Sequence, residues 1–246
     1  MRWWWFGPSV NEPEIDREVE LMKQAGIGGF EVQTVYPLAL DDPDRGFKNY
    51  SFLSDRFIEA LHFTSVKAHE LGLRMDITLG SGWPYGGPAI PITQAAGKLR
   101  VERITVRLGT VRVPLPYITL GERLLAVFLV KGDAKNFEAE EALEVSDVRN
   151  GTAWLPADLQ TPHVLLVFIA SRTGQAVKRS AVGAEGLVLD HYDGVAIRNY
   201  LASVGERLLQ TFGSNPPRGV FGDSLEVYDS DWMASWKNSA IGEATI

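Results

Sequence analysis

A chain of 246 residues, 45% of them hydrophobic, can bury the core of one large domain or two small ones, which excludes a disordered chain. A formal net charge of -7 with no sustained basic stripe argues against a surface that tracks nucleic-acid phosphates. Without cysteine there is no disulfide, thiolate metal site or cysteine nucleophile, and no apolar stretch approaches the roughly 20 residues of a membrane span.

The chain opens on "RWWWFGPSV", an aromatic run too short for a signal peptide and followed by no small-residue cleavage site. It reads as a first strand. In "NEPEIDREVELMKQAG", Ile15, Val19 and Met22 recur at helical spacing, with Asn11 as N-cap, Glu14 three residues on, Pro13 in the first turn and Gly26 just past the end. "GGFEVQTVY" is a second strand. A second helix runs from its cap Ser54 to Gly72, and "LRMDITLG" is a third strand, giving the β-α-β-α-β grammar of parallel folds. From about Lys98 short runs such as "KLRVERITVRLG", "RLLAVFLVKG" and "HVLLVFIASRTG" alternate with Gly, Pro and Asn/Asp punctuation, as in an all-β insert. After "EGLVLDHYDG" a helix resumes with Ile197, Leu201, Val204 and Leu208 on one face, then a strand in "RGVFGDSLEVYD". The expected organisation is 1–97, the first part of the α/β domain; 98–182, the insert; and 183–246, its continuation.

Alternation splits each strand into two faces. Glu31 and Gln33 oppose Phe30 and Val32, and Asp76 and Thr78 oppose Met75, Ile77 and Leu79. A doubly wound sheet covers both faces with helices and wants both apolar, whereas a barrel can line the mouth at the carboxyl ends of its strands with polar residues, where Glu31, Gln33, Asp76 and Glu226 are then expected to converge; an edge strand or isolated satisfied polar groups are the plainer alternative. Trp3 and Trp5 share a face, either as core or as flat platforms for sugar C–H faces, and Trp83 and Tyr85 in "GSGWPYGGP" suit the same ligand. That segment lacks the phosphate-cradle spacing. Asp223 and Glu226 stand at a strand end, where a carboxylate acts as general acid or base if its pKa is tuned, or is a solvated loop acid if not. Asp190 beside His191 is either a metal or proton-relay pair or a structural step. There is no HExxH, G-x-S-x-G or EF-hand pattern.

Taken in order, "RWWWFGPSV", "EIDREVELMKQAGIGGFEVQ", "LRMDITLGSGWPYGGP", "EGLVLDHYDGVAIRNYL" and "RGVFGDSLEVYDSDW" resemble glycoside hydrolase family 106, the α-L-rhamnosidases. The resemblance implies an α/β fold, part of a (β/α)8 TIM barrel comprising about strands one to four, with an antiparallel β-rich domain inserted after the third. It further implies inverting hydrolysis of terminal α-L-rhamnosides, with Glu226 as general acid and a base from a later strand. The implied sugar-contacting set is Trp3, Trp5, Glu31, Gln33, Asp76, Trp83, Asp190, His191 and Asp223. Also implied are calcium near the sugar hydroxyls with unassigned ligands, no organic cofactor, rhamnose-containing glycans as partners, and a periplasmic or secreted setting. The chain looks trimmed at both ends, which leads us to expect the acid half of a site and no hydrolysis by this chain alone. Two other readings stay open: a non-catalytic carbohydrate-binding remnant, and an unrelated α/β-barrel enzyme of aldolase or isomerase type. The last wants a lysine at a strand end, and Lys131 and Lys178 fall within the expected insert.

Overall fold

The computed structural model describes residues 1–233. They form two compact units, one of residues 1–96 and 174–228, the other of 97–173 with the described residues from 229 onward. In chain order the first unit begins with β1 (Arg2–Phe6), α1 (Glu12–Gln24), β2 (Gly29–Val35), α2 (Asp55–Glu70), β3 (Arg74–Ser81) and the short β4 (Gly86–Gly87). Both helices start as their sequences dictate. Asn11 accepts the Glu14 amide at 3.0 Å and Ser54 the Phe57 amide at 3.3 Å, each satisfying a donor that the first helical turn leaves orphaned.

The second unit follows as β5 (Gly97–Val106), β6 (Arg112–Pro114), β7 (Arg123–Lys131), β8 (Leu143–Glu144), β9 (Val148–Arg149), β10 (Thr152–Trp154) and β11 (His163–Arg172). All its pairings are antiparallel, in sheets ordered β5-β11-β7-β8 and β6-β10-β9. The central β11 is buried on both faces, which is why its sequence is an unbroken apolar run. Leu165, Val167 and Ile169 join Val113, Ala153 and Leu155 on one side, while Val164 and Leu166 pack with Val130 and the Phe128–Phe168 pair on the other.

The chain returns to the first unit at Gly174, earlier than the expected residue 183. Segment 174–182 pairs there with the loop after β3: Lys178 and Trp83 exchange both backbone bonds, at 2.9 and 3.0 Å. Then come β12 (Leu187–Val188), which pairs with β4, and α3 (Gly194–Tyr200), one π turn (Leu201–Gly205), α4 (Glu206–Gln210) and β13 (Val220–Phe221). The expected apolar face of this last helical stretch needs correction. Ala196, Tyr200, Val204 and Leu208 are buried, whereas Leu201 is exposed. A spacing of four overshoots a full α-helical turn by about 40° each time; the wider π turn absorbs that drift and keeps the four on one side.

The strands β1-β2-β3-β13 form one sheet in that order, all parallel. One face packs on the helices, with Trp5, Phe30, Val32, Met75 and Ile77 against Ile15, Val19, Phe57, Leu61 and Leu208. No helix among the described residues is long and apolar enough to cross a membrane.

Candidate functional site

The opposite face of the parallel sheet is polar. Register places Arg2 beside Glu31, Glu31 beside Asp76, and Trp4 beside Gln33, and register partners on parallel neighbours point the same way. Thr78 Oγ1 lies 2.8 Å from Glu31 Oε1 and also meets Gln33 Oε1, so its single proton serves one of the two. Gln33 and Thr78 are both buried.

Arg2 organises this face. Its Nε donates to Glu31 Oε2 at 3.0 Å and its Nη1 to Asp223 Oδ2 at 3.3 Å, while the guanidinium carbon stands 4.2 Å from the Phe221 ring centroid and 5.1 Å from that of Trp4. Arg2 belongs to one edge strand and Phe221 to the other. In a flat four-stranded sheet those edges would stand about 14 Å apart, beyond the reach of one arginine. The sheet therefore curls, and its polar face is concave. Tyr85 lies in the same concavity, its hydroxyl donating to Phe221 O at 2.7 Å. Gly80 makes room for it, because a Cβ there would stand 2.7 Å from Tyr200 Oη and 2.9 Å from Tyr85 Cδ1. Burial, with Glu31 and Asp223 adding to it, pushes the Tyr85 hydroxyl above the ordinary phenol range.

A second cluster lies past the carboxyl ends of the strands. Glu226 Oε2 accepts from Lys178 Nζ at 2.7 Å and from Tyr228 Oη at 3.2 Å, and Glu226 Oε1 accepts from Ser224 Oγ at 2.8 Å. Gln175 fixes the backbone of this loop, donating to Glu226 O at 2.6 Å and accepting from Tyr228 N at 2.8 Å. The Lys178 ammonium, then the Ser224 hydroxyl, holds the Glu226 carboxyl below the ordinary carboxylate range. The backbone pairing of Lys178 with Trp83 joins this cluster to the aromatic loop, and Trp83 stands 6.3 Å, centroid to centroid, from Trp4.

Several expectations are corrected by this geometry. Trp3 and Trp5 lie on the helix-packed side, Trp5 edge-on to Phe57 and 1% exposed; the tryptophan on the polar face is Trp4. Glu31 and Asp76 are the third residues of β2 and β3, so they sit toward the amino ends rather than the carboxyl ends. Asp223, Glu226 and Trp83 do lie beyond the carboxyl ends. Asp190 is fully buried in the turn before α3, where its Oδ1 accepts from Tyr192 N at 3.1 Å. His191 beside it is pushed toward the neutral form by burial, and no hydrogen bond joins the two side chains. Lys178 belongs to the α/β unit, not to the insert. Sequence reasoning missed Arg2, Trp4, Lys178 and Tyr228. For the first two a signal was present, since Arg2 and Trp4 share strand parity and a charged residue marks the polar face.

Calcium takes 6–8 oxygen ligands. Among the described residues no group of three or more His, Asp or Glu side chains is arranged to hold a metal ion. Glu31 and Asp223, two of the carboxylates on the concave face, already share the Arg2 guanidinium. The described residues do not fit the calcium that the resemblance implies.

A concave, polar and aromatic face on a parallel sheet suits a glycan, and the comparisons with known proteins point to the same class. Residues 1–122 match the model of a glycoside hydrolase family. That segment is similar to glycoside hydrolase family 106, alpha-L-rhamnosidase. A rhamnosidase structure from Novosphingobium sp. PP1Y is similar in fold, with a TM-score of 0.68 and 14% sequence identity over 95% of this chain and 39% of that one. The chain thus spans about two fifths of the length of that structure. No curated protein matches it in sequence.

Proposed function

We propose that the α/β unit is the acid-bearing arc of a glycoside hydrolase site for terminal α-L-rhamnosides, built on part of a (β/α)8 barrel. The observation that carries this reading is the curl of the parallel sheet, measured by Arg2 reaching from β1 to Phe221 and Asp223. A barrel wall curves in this sense and turns its inward positions to a common interior. Trp4 and Trp83 offer rings to the C–H face of a sugar, and the carboxylates of the concave face offer acceptors to its hydroxyls.

In the inverting mechanism one carboxylic acid protonates the leaving oxygen, and a carboxylate about 6.5–9.5 Å away activates water. Glu226 is the acid in this reading. To donate a proton it must first hold one, so its contact with Lys178 opens on the way to reaction. Glu31 and Asp223 are both held by Arg2, which places them as acceptors for sugar hydroxyls rather than as the base that activates water. The described residues then bind the sugar and present the acid, without turning substrate over.

A second reading, binding without hydrolysis, is favoured by one observation: Lys178 holds Glu226 in its charged form. A Schiff-base enzyme is disfavoured by the same pair. Glu226, then Tyr228, keeps Lys178 above the ordinary lysine range, whereas an amine nucleophile needs the opposite shift.

The test is calorimetric titration of the intact chain with methyl α-L-rhamnoside beside a hydrolysis assay on an aryl α-L-rhamnoside. Saturable binding without turnover is expected, with Trp4→Ala weakening binding about 3- to 10-fold. No binding at any concentration overturns the reading. Turnover that vanishes in Glu226→Gln means that both carboxylates are present in this chain.

A further inference from the structure

The disagreement with calcium leads to a specific role for Arg2. We infer that the Arg2 guanidinium takes a cation's place between Glu31 and Asp223, so that the concave face receives a neutral sugar without calcium. The inference rests on the sugar-binding reading for its ligand, and on this chain's own contacts for the rest.

Three of the pair's four carboxylate oxygens have a donor from Arg2 or Ser224, and the fourth faces the Thr78 hydroxyl, whose proton it shares with Gln33. Glu31 Oε2 takes Arg2 Nε at 3.0 Å, and Glu31 Oε1 lies 2.8 Å from the Thr78 hydroxyl. Asp223 Oδ2 takes Arg2 Nη1 at 3.3 Å, and Asp223 Oδ1 takes the Ser224 amide at 2.8 Å. A divalent cation would have to strip these donors away and then sit against a positive guanidinium. The exchange also fails geometrically, because calcium wants oxygens gathered at about 2.3–2.6 Å around one point, while the planar guanidinium presents separate N–H groups to Glu31 on β2 and to Asp223 past the end of β13. Nor is Arg2 free to swing aside. Phe221 and Trp4 contact the guanidinium from β13 and from β1 itself, and the Arg2 side chain is 28% exposed against 11% for Glu31 and 21% for Asp223.

A deoxyhexose carries no charge, so a face that receives it gains from donors and acceptors already paired and held in place. Arg2 holds both carboxylates in place, and their remaining lone pairs offer acceptors to hydroxyls. This makes Arg2 a positioning residue. It acts on the ligand through Glu31 and Asp223.

The experiment uses the intact chain and three probes: calcium chloride by calorimetry, terbium luminescence sensitised through Trp4, and methyl α-L-rhamnoside titrated with and without EDTA. We expect the wild type to show no saturable calcium or terbium binding at the face and a rhamnoside affinity unchanged by EDTA. Arg2→Gln, which bares the acidic pair, should gain terbium binding at least about tenfold over wild type, and the gain should vanish when Glu31→Gln is added. Arg2→Lys keeps the charge and should stay blind to both metals; it also serves where Arg2→Gln does not give a folded circular dichroism spectrum. Stoichiometric calcium binding by the wild type, or a tenfold loss of rhamnoside affinity in EDTA, overturns the inference. Should the rhamnoside fail to bind at all, the sugar-binding reading falls, while the metal arms still decide what lies between the two carboxylates.

Discussion

Both units of the molecule set a half-buried arginine against a carboxylate, and the two contacts differ in what surrounds them. In the insert, Glu122 accepts from Arg100 Nε at 3.1 Å and Arg100 Nη2 at 3.0 Å, from Ser171 Oγ at 2.6 Å and from Thr119 N at 2.9 Å. Burial pushes that carboxyl up, but the bonds from Ser171, Thr119 and Arg100 win and bring it down to about 2. Arg100 also donates through Nη1 to Glu102 Oε1 at 2.9 Å, and Glu122 itself, surrounded by donors and 8% exposed, is closed off. In the α/β unit Arg2 bridges Glu31 on β2 and Asp223 past the end of β13, on a concave face with aromatic rings beside it. A displaced pKa by itself would pick Glu122 as the functional group. Concavity and an open rim pick the other arginine, because a binding site needs surface that a ligand can reach.

The largest test of this contrast separates the tryptophans. Trp5→Ala should cost about 3–5 kcal/mol of stability, as for a large aromatic removed from a packed core, whereas Trp4→Ala should stay within about 1 kcal/mol and act on ligand binding. Urea unfolding followed by circular dichroism compares the two, and a larger cost for Trp4→Ala would reverse the assignment of the faces.

Next comes Glu122→Gln, expected to destabilise the insert by about 1–3 kcal/mol through loss of charge-assisted bonds. The pH dependence has a definite sign. A carboxyl lowered from the ordinary 4.5 to about 2 on folding gives stability that is fully present above 4.5 and is lost as pH falls from there through about 2. Wild type should therefore lose stability over that window and the glutamine variant should be flatter across it; parallel curves would count against the network.

Smaller still is Asn11→Ala, which removes the N-cap of α1 and should cost about 1 kcal/mol in the same unfolding experiment. An unchanged midpoint would mean that water replaces the cap without loss.

The smallest expected effect on stability, and the most informative for chemistry, is Lys178→Met. Its ion pair with Glu226 lies at the surface, so unfolding should not register the change. Carboxyl-carbon NMR should nevertheless show Glu226 titrating at higher pH, because the ammonium that holds its carboxyl down is gone. An unmoved titration would detach Lys178 from the acid.

The sequence by itself settled what is local. Residues three and four apart meet on a helix, and side chains two apart share a strand face, so the caps at Asn11 and Ser54, the parallel α/β grammar, the antiparallel insert and the shared faces of Glu31 with Gln33 and Asp76 with Thr78 were all legible. Parity put Trp3 with Trp5 but could not say which side of β1 meets the helices. That depends on the register of Trp4 against Gln33, a contact 29 residues away in sequence. The register of the last helix was hidden for a related reason, since a π turn changes the period on which such readings rest. Lys178 was assigned to the insert because its neighbours are short apolar runs; only its pairing with Trp83 brings it to Glu226. The bridge from Arg2 to Asp223 spans 221 positions and exists only once the sheet has curled. Long-range contacts of this kind depend on how elements pack, and pattern along a chain carries no record of the distance between its folded edges.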